Sequence, residues 1–258
     1  MRKVIAFITH YLRSKTRHGI HSPFVYNLID KCLNQGSQFN QAVRKHYKRL
    51  ERSKEYLEGM DFGKNEKVKV KVSELASRSA TRDFEATLVA KVVRYFGSRR
   101  YLELGTNIGK ATSIVALTNP KTIVHSIEGN TAIADFARKS IQELGLGNVR
   151  IENSTFDEFF AQNSTKYDCI FIDGDHRYEP TLKNYENAKQ SLIAEGPIIL
   201  HDIYWSRGMT DAWKKIVADK SATVTIDLFF FGMVFFRPSQ AKEHFRIRYP
   251  KNLLRIFT

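Results

Sequence analysis

The chain's 258 residues suffice for a substantial core, as one domain or as a domain with an appendage, and 42% hydrophobic with 26% charged residues excludes a disordered polymer. No apolar run approaches the roughly 20 residues needed to cross a bilayer, and two cysteines, Cys32 and Cys169, exclude a disulfide framework or a thiolate zinc cluster. The net charge of +14 is uneven: residues 1–100 carry 22 Lys and Arg against 9 acids, residues 101–236 carry 13 against 17, and residues 237–258 carry 6 against 1.

That break marks the ends as appended segments with a partner surface of their own. The start, Met1 to Ile8, looks briefly like a leader peptide. His10, Arg13, Lys15 and Arg17 interrupt it and no small-residue cleavage site comes after them, so a cytoplasmic protein is expected. Val4, Ile5, Ile8, Tyr11 and Leu12 share one helical face, with basic residues elsewhere. Ser22-Pro23 is an N-cap followed by proline at the first helical position, and Val25, Leu28, Ile29, Cys32 and Leu33 continue that stripe to Gly36. Gln38 to Glu58 reads as one long polar helix with a thin seam of Phe39, Val43, Tyr47, Leu50 and Leu57. Asp61 to Lys71 reads as a charged connection. Ser73 to Ser77 and Arg82 to Phe96 read as helical again, closed by Gly97.

From Arg100 the rhythm changes. Tyr101–Leu104, Thr122–Ile127, Val149–Glu152, Cys169–Asp173 and Pro197–Leu200 read as strands, with helices at 110–118, 132–144, 156–162, 178–193 and 209–218. Such alternation predicts a doubly wound α/β fold with a mostly parallel sheet. Thr223–Leu228 and Phe230–Arg237 leave no room for a helix between them and predict an antiparallel pair at one edge.

Ligands of such sheets bind beyond the strand tips. The first strand runs into Glu103-Leu104-Gly105-Thr106-Asn107-Ile108-Gly109 and then a helix. Gly105 permits the turn and Gly109 lets a ligand approach the backbone. Glu128, at the tip of the second strand, is placed to accept hydrogen bonds from a ribose diol. A dinucleotide site needs a middle glycine to admit the pyrophosphate, and this loop lacks it. Glu103 would repel a pyrophosphate and attract a cationic ligand such as a sulfonium.

These motifs, together with Ile127-Glu128 and the run from Tyr167 through Asp173-Gly174-Asp175-His176 to Glu179, give the chain a resemblance to the class I S-adenosylmethionine-dependent methyltransferases, within them the catechol-type and sugar O-methyltransferase group. The likeness covers about Phe84 to Arg237. It implies a Rossmann-like sheet of seven strands in the order 3-2-1-4-5-7-6, the last antiparallel. It also implies that Glu103, Gly105, Thr106, Asn107 and Gly109 surround the methionine part of S-adenosylmethionine. Glu128 would then hold the ribose, and Ser154 and Thr155 would lie near the adenine; Ser154 and Thr155 read equally well as a helix cap before Phe156.

Methyl transfer to a hydroxyl requires alignment of the acceptor and removal of its proton. Asp173 and Asp202, at the tips of neighbouring strands, are expected to hold a divalent cation, as the resemblance implies. This chain has Ile203 where catechol-type enzymes follow the second acid with Asn, and His201 just before it. An Asp173/His201/Asp202 set would suit Mn²⁺ or Fe²⁺ better than Mg²⁺. His176 stands where catechol-type enzymes carry a catalytic lysine, and with Asp173 and His201 completes the candidate catalytic group; a turn capping the next helix is the plainer alternative for Asp173 to His176.

The expected organisation is therefore a basic helical extension over 1–80 (lid, acceptor-binding or dimerisation element), a cofactor domain over 81–237 and a basic tail over 238–258. The string Arg17 to Tyr26, dense in His and aromatics, would line the acceptor pocket or simply form a turn and cap. A small-molecule hydroxyl is the expected acceptor. RNA is the alternative that the basic stretches Arg44–Arg49, Lys64–Lys71 and Arg237–Arg255 raise, and a cofactor-binding scaffold without turnover is a third. A homodimer is compatible with all three.

Overall fold

The computed structural model describes residues 2–36, 40–61, 66–193 and 195–249. Phe39, Lys64 and Arg255, which enter the readings above, lie outside them.

The first helix, α1, spans Arg2–Arg13. In α2, Pro23–Leu28, the Ser22 hydroxyl accepts from the Val25 N–H and proline takes the first turn, as the sequence predicts. Helix α3 runs only over Gln41–Leu50, capped by Asn40, whose side-chain oxygen accepts from Ala42 and Val43. The long helix expected to Glu58 therefore stops early. In its place stands an antiparallel hairpin, β1 at Tyr56–Asp61 and β2 at Glu66–Lys71. Val68 and Val70 alternate with Lys67, Lys69 and Lys71, a period of two that belongs to a strand; the high charge gives the segment the look of a linker. Gly59 seats the hairpin on the helix start at residue 131, since a Cβ there would lie 2.7 Å from the Ala132 Cβ and 2.8 Å from its backbone nitrogen. A short turn of helix, α4 (Val72–Glu74), precedes α5 (Asp83–Tyr95).

The alternating part keeps the expected rhythm: β3 (Arg100–Leu104), α6 (Lys110–Thr118), β4 (Ile123–Glu128), α7 (Thr131–Glu143), β5 (Val149–Asn153), α8 (Phe156–Gln162), β6 (Cys169–Ile172), α9 (Tyr178–Ser191), β7 (Ile198–His201) and α10 (Arg207–Ala218). Three strands close it: β8 (Val224–Asp227), β9 (Phe231–Phe235) and β10 (Glu243–Arg246).

The chain divides into two compact bodies, residues 36–165 and residues 1–35 with 166–258. Residues 1–80 are thus shared between the two bodies. In the first, β3, β4 and β5 pair in parallel in the order β3-β4-β5. Leu102, Leu104, Val124 and Ile127 are fully buried, with Val89, Val93 and Val115 from α5 and α6. In the second, the order is β6-β7-β9-β8-β10, with β9 antiparallel to both β7 and β8. The expected 3-2-1 and 4-5-7-6 both appear. The eighth strand, β10, pairs in parallel with β8 and takes the edge position expected of the β8–β9 pair.

Helix α1 belongs to the second body. Its His10 is buried, with Nε2 3.0 Å from Asp227 Oδ1, and Phe7 packs edge-on against Phe229. These contacts turn Val4, Ile5, Ile8 and Leu12 outward. Among the described residues no helix is long and apolar enough to cross a membrane.

Candidate functional site

In the body of residues 36–165, the loop between β3 and α6 is built as a cradle. The Gly105 and Thr106 N–H groups donate to the Ile127 carbonyl at the adjacent strand tip, at 2.9 and 3.2 Å. Asn107 and Gly109 adopt positive φ, 51° and 82°, which explains an Asn and a Gly at these positions. Glu103 is fully buried, and its Oε2 accepts from the Thr112 and Ser126 hydroxyls, tying β3 to α6 and β4. Thr106 Oγ1 lies 2.6 Å from Ser126 Oγ.

Glu128 sits where the sequence places it, at the tip of β4. Its carboxylate accepts from the Asn107 N–H at 2.8 Å and the Asn130 N–H at 3.0 Å. Burial pushes its pKa up to about 7; the Asn130 and Asn107 N–H groups oppose that, and the charge of Asp61 adds to it. Asp61 itself bridges Asn130, so the hairpin β1–β2 abuts this corner.

Sequence reasoning missed Tyr47. Periodicity makes it one more member of an apolar seam, and indeed it is buried, yet its hydroxyl lies 2.8 Å from Ser113 Oγ and donates to the Ile108 carbonyl at 3.3 Å. A Cβ on Gly109 would lie 3.4 Å from that hydroxyl. Helix α3 thereby braces the cradle from behind. Thr155 is a helix cap: its hydroxyl accepts from the Glu158 N–H at 3.1 Å, and Glu158 reaches back to the Thr155 N–H. The neighbouring Ser154 N–H donates to the Glu128 carbonyl at 3.2 Å.

In the other body, Asp173 comes directly after β6 and His201 ends β7. Asp173 Oδ1 lies 2.6 Å from His201 Nδ1 and 3.6 Å from His176 Nε2. Burial opposes ionisation of Asp173, but the His201 and His176 imidazoles outweigh it and hold the carboxyl well below the usual carboxylate range. Phe171 and Phe231 flank the His201 ring.

Donor atoms of Asp173, His176 and His201 all lie within 4.8 Å of one another, a spacing that one metal ion can bridge. This set differs from the Asp173/His201/Asp202 set expected from the sequence. Asp202 has φ 52°, its Oδ1 is 3.7 Å from Lys3 Nζ, and its Oδ2 is 3.9 Å from His201 Nδ1. Its carboxylate thus lies between Lys3 of α1 and His201, outside the set of donors within 4.8 Å of one another, which holds His176.

Solved structures share this fold. The chain aligns over 84% of its length, and over 97% of the other, with an SAH-bound methyltransferase from Podospora anserina at TM-score 0.63 and 10% identity. It covers 83% of itself and 97% of an O-methyltransferase from Bacillus cereus in complex with SAH, at 0.56 and 16%. For the SAM-bound O-methyltransferase TomG from Streptomyces achromogenes the shares are 82% and 94%, at 0.56 and 12%. The fold is that of the class I S-adenosylmethionine-dependent methyltransferases. Within it, residues 102–203 match the family model of a methyltransferase domain, a span that runs from β3 to just past β7. No curated protein matches the chain.

Proposed function

We propose that this chain transfers the methyl group of S-adenosylmethionine to a hydroxyl of a small molecule. The observation that carries the reading is the Glu128 carboxylate, held by the Asn107 and Asn130 N–H groups at the strand tip beside the Gly105–Gly109 cradle. A carboxylate so fixed accepts hydrogen bonds from a ribose diol, and a loop without a middle glycine does not suit a pyrophosphate. Gly105, Thr106, Asn107 and Gly109 form the wall for the methionine part. Glu103, sealed behind them, acts through the charge it places under the loop. Ser154 contributes to the adenine side, and Thr155 chiefly caps α8.

Asp173, His176 and His201 form the proton-removing group. An ionised, buried Asp173 fixes the His201 ring through Nδ1 and attracts the positive charge that an imidazole acquires when it takes the acceptor's proton. The same three side chains fit a divalent metal, since one carboxylate and two imidazoles are donors suited to Mn²⁺, Fe²⁺ or Zn²⁺. Such an ion would lower the acceptor hydroxyl's pKa as a Lewis acid. Asp202 then serves to anchor α1 through Lys3.

Calorimetric titration with S-adenosylmethionine and with NAD⁺ tests the cofactor. Binding of the first, lost in Glu128→Ala, is expected; binding of NAD⁺ alone overturns the reading. Transfer of a tritiated methyl group to catechols, sugars, bulk tRNA and a lipid extract then identifies the acceptor class, with label on tRNA alone overturning the small-molecule assignment. Metal content of the purified protein, and of His176→Ala, tests the donor group without recourse to turnover.

A further inference from the structure

Helix α1 presents an apolar stripe to solvent. Val4, Ile5, Ile8 and Leu12 are 53%, 57%, 52% and 75% exposed, half of the large hydrophobic side chains exposed among the described residues. They fall on one face of the helix, whereas scattered single apolar residues are the rule on a surface. The orientation is fixed from behind, where His10 is buried against Asp227 and Phe7 packs on Phe229. Rotating the stripe inward would break a buried His–Asp pair.

The surroundings of the stripe are cationic. Residues 1–29 hold five Lys and Arg (Arg2, Lys3, Arg13, Lys15 and Arg17) and no acid; Arg17 pairs with Asp30 and Lys3 lies 3.7 Å from Asp202, so the excess positive charge comes from Arg2, Arg13 and Lys15. A short helix with one apolar face and basic flanks has the chemistry of a segment that lies in the headgroup region of a bilayer. At 12 residues it cannot span one. A second copy of the chain fits the stripe poorly: a two-fold contact would set the acid-free segment against itself in a chain of net charge +14.

We propose that the outer face of α1 docks the protein on an anionic lipid surface. The apolar stripe enters the headgroup boundary and the Lys and Arg side chains contact lipid phosphates.

Co-sedimentation of the full-length protein with phosphatidylcholine vesicles, with and without phosphatidylglycerol, tests this. Binding to the anionic vesicles is expected. It should weaken as salt is raised, because exposed charges are screened over about 10 Å at 0.1 M. Ile8→Asp and Ile5→Asp, both at exposed positions, should each reduce the bound fraction about tenfold or more without lowering the melting temperature. Failure to bind anionic vesicles, equal binding to neutral ones, or unchanged binding by both variants overturns the proposal. So does a wild-type dimer, seen by light scattering, that Ile8→Asp converts to monomer, since the stripe would then belong to a second copy.

Discussion

Asp173 and His201, contributed by the ends of two neighbouring parallel strands, meet at 2.6 Å between Oδ1 and Nδ1. A partly buried carboxylate paired to one ring nitrogen fixes both the tautomer and the tilt of the imidazole, and His176 approaches the same oxygen from the adjoining turn.

If that pair removes the acceptor's proton, His201→Ala and Asp173→Asn should each lower kcat by about 10²–10⁴ while leaving the dissociation constant for S-adenosylmethionine within about threefold. Single-turnover kinetics beside calorimetry separates the two effects. A collapse of cofactor affinity in both variants would assign the pair to scaffolding.

Glu128 predicts a pH dependence of two opposite signs. Its pKa is raised from 4.5 to about 7, so the folded chain favours the protonated form. That contribution to stability is fully present below about pH 4.5 and is lost as pH rises through about 7, up to about 3 kcal/mol at 1.36 kcal/mol per unit. Cofactor affinity should run the other way, because the ionised carboxylate is the better acceptor for ribose hydroxyls. Denaturation and binding measured between pH 5 and 8 should show both contributions in the wild type, and their difference from Glu128→Gln isolates them from the titration of His46, His125 and His244.

Tyr47→Phe removes one hydroxyl and leaves Ser113 Oγ and the Ile108 carbonyl short of a partner. The expected cost is about 1–2 kcal/mol in denaturant unfolding, with a several-fold weaker grip on the cofactor because the cradle loses its brace. An unchanged dissociation constant would confine Tyr47 to stability.

Gly232→Ala in β9 should be severe. Its Cβ would sit 2.6–2.8 Å from ring atoms of Trp213, a rigid neighbour with 3% exposure. A loss of about 2–3 kcal/mol is expected, and Trp213→Leu in the same chain should recover part of it by opening the space.

The alternating half of the chain is legible in its sequence because the signals there are local. Gly105 and Gly109 punctuate the end of β3, Glu128 closes β4, and each strand carries its own apolar run. Other features stay hidden for reasons that a residue pattern cannot reveal. Periodicity says that Val4, Ile5, Ile8 and Leu12 share a face, but not whether anything covers it. His10 and Asp227, 217 positions apart, decide that. The Lys-Val alternation of β2 obeys the strand period but is masked by charge. Strand-tip position sets Asp173 and Asp202 side by side, whereas the turn after β6 brings His176 to Asp173, which spacing alone does not reveal. Tyr47 reads as a seam residue because a phenol's ring and its hydroxyl can serve different neighbours.

If Glu128 holds the ribose, the bridge between Asp61 and Asn130 makes the hairpin a party to ligand binding. Asn130 offers its N–H to Glu128 while its backbone is engaged by the end of β1, so lifting the hairpin away loosens one of the two supports of that carboxylate. Under the ribose assignment, lifting and ligand release are linked reciprocally. A ligand concentration a hundredfold above the dissociation constant adds about 2.7 kcal/mol to the cost of opening, if the open form does not bind. Protease sensitivity in the hairpin would then serve as a gauge of occupancy, read without knowing which hydroxyl the methyl group reaches.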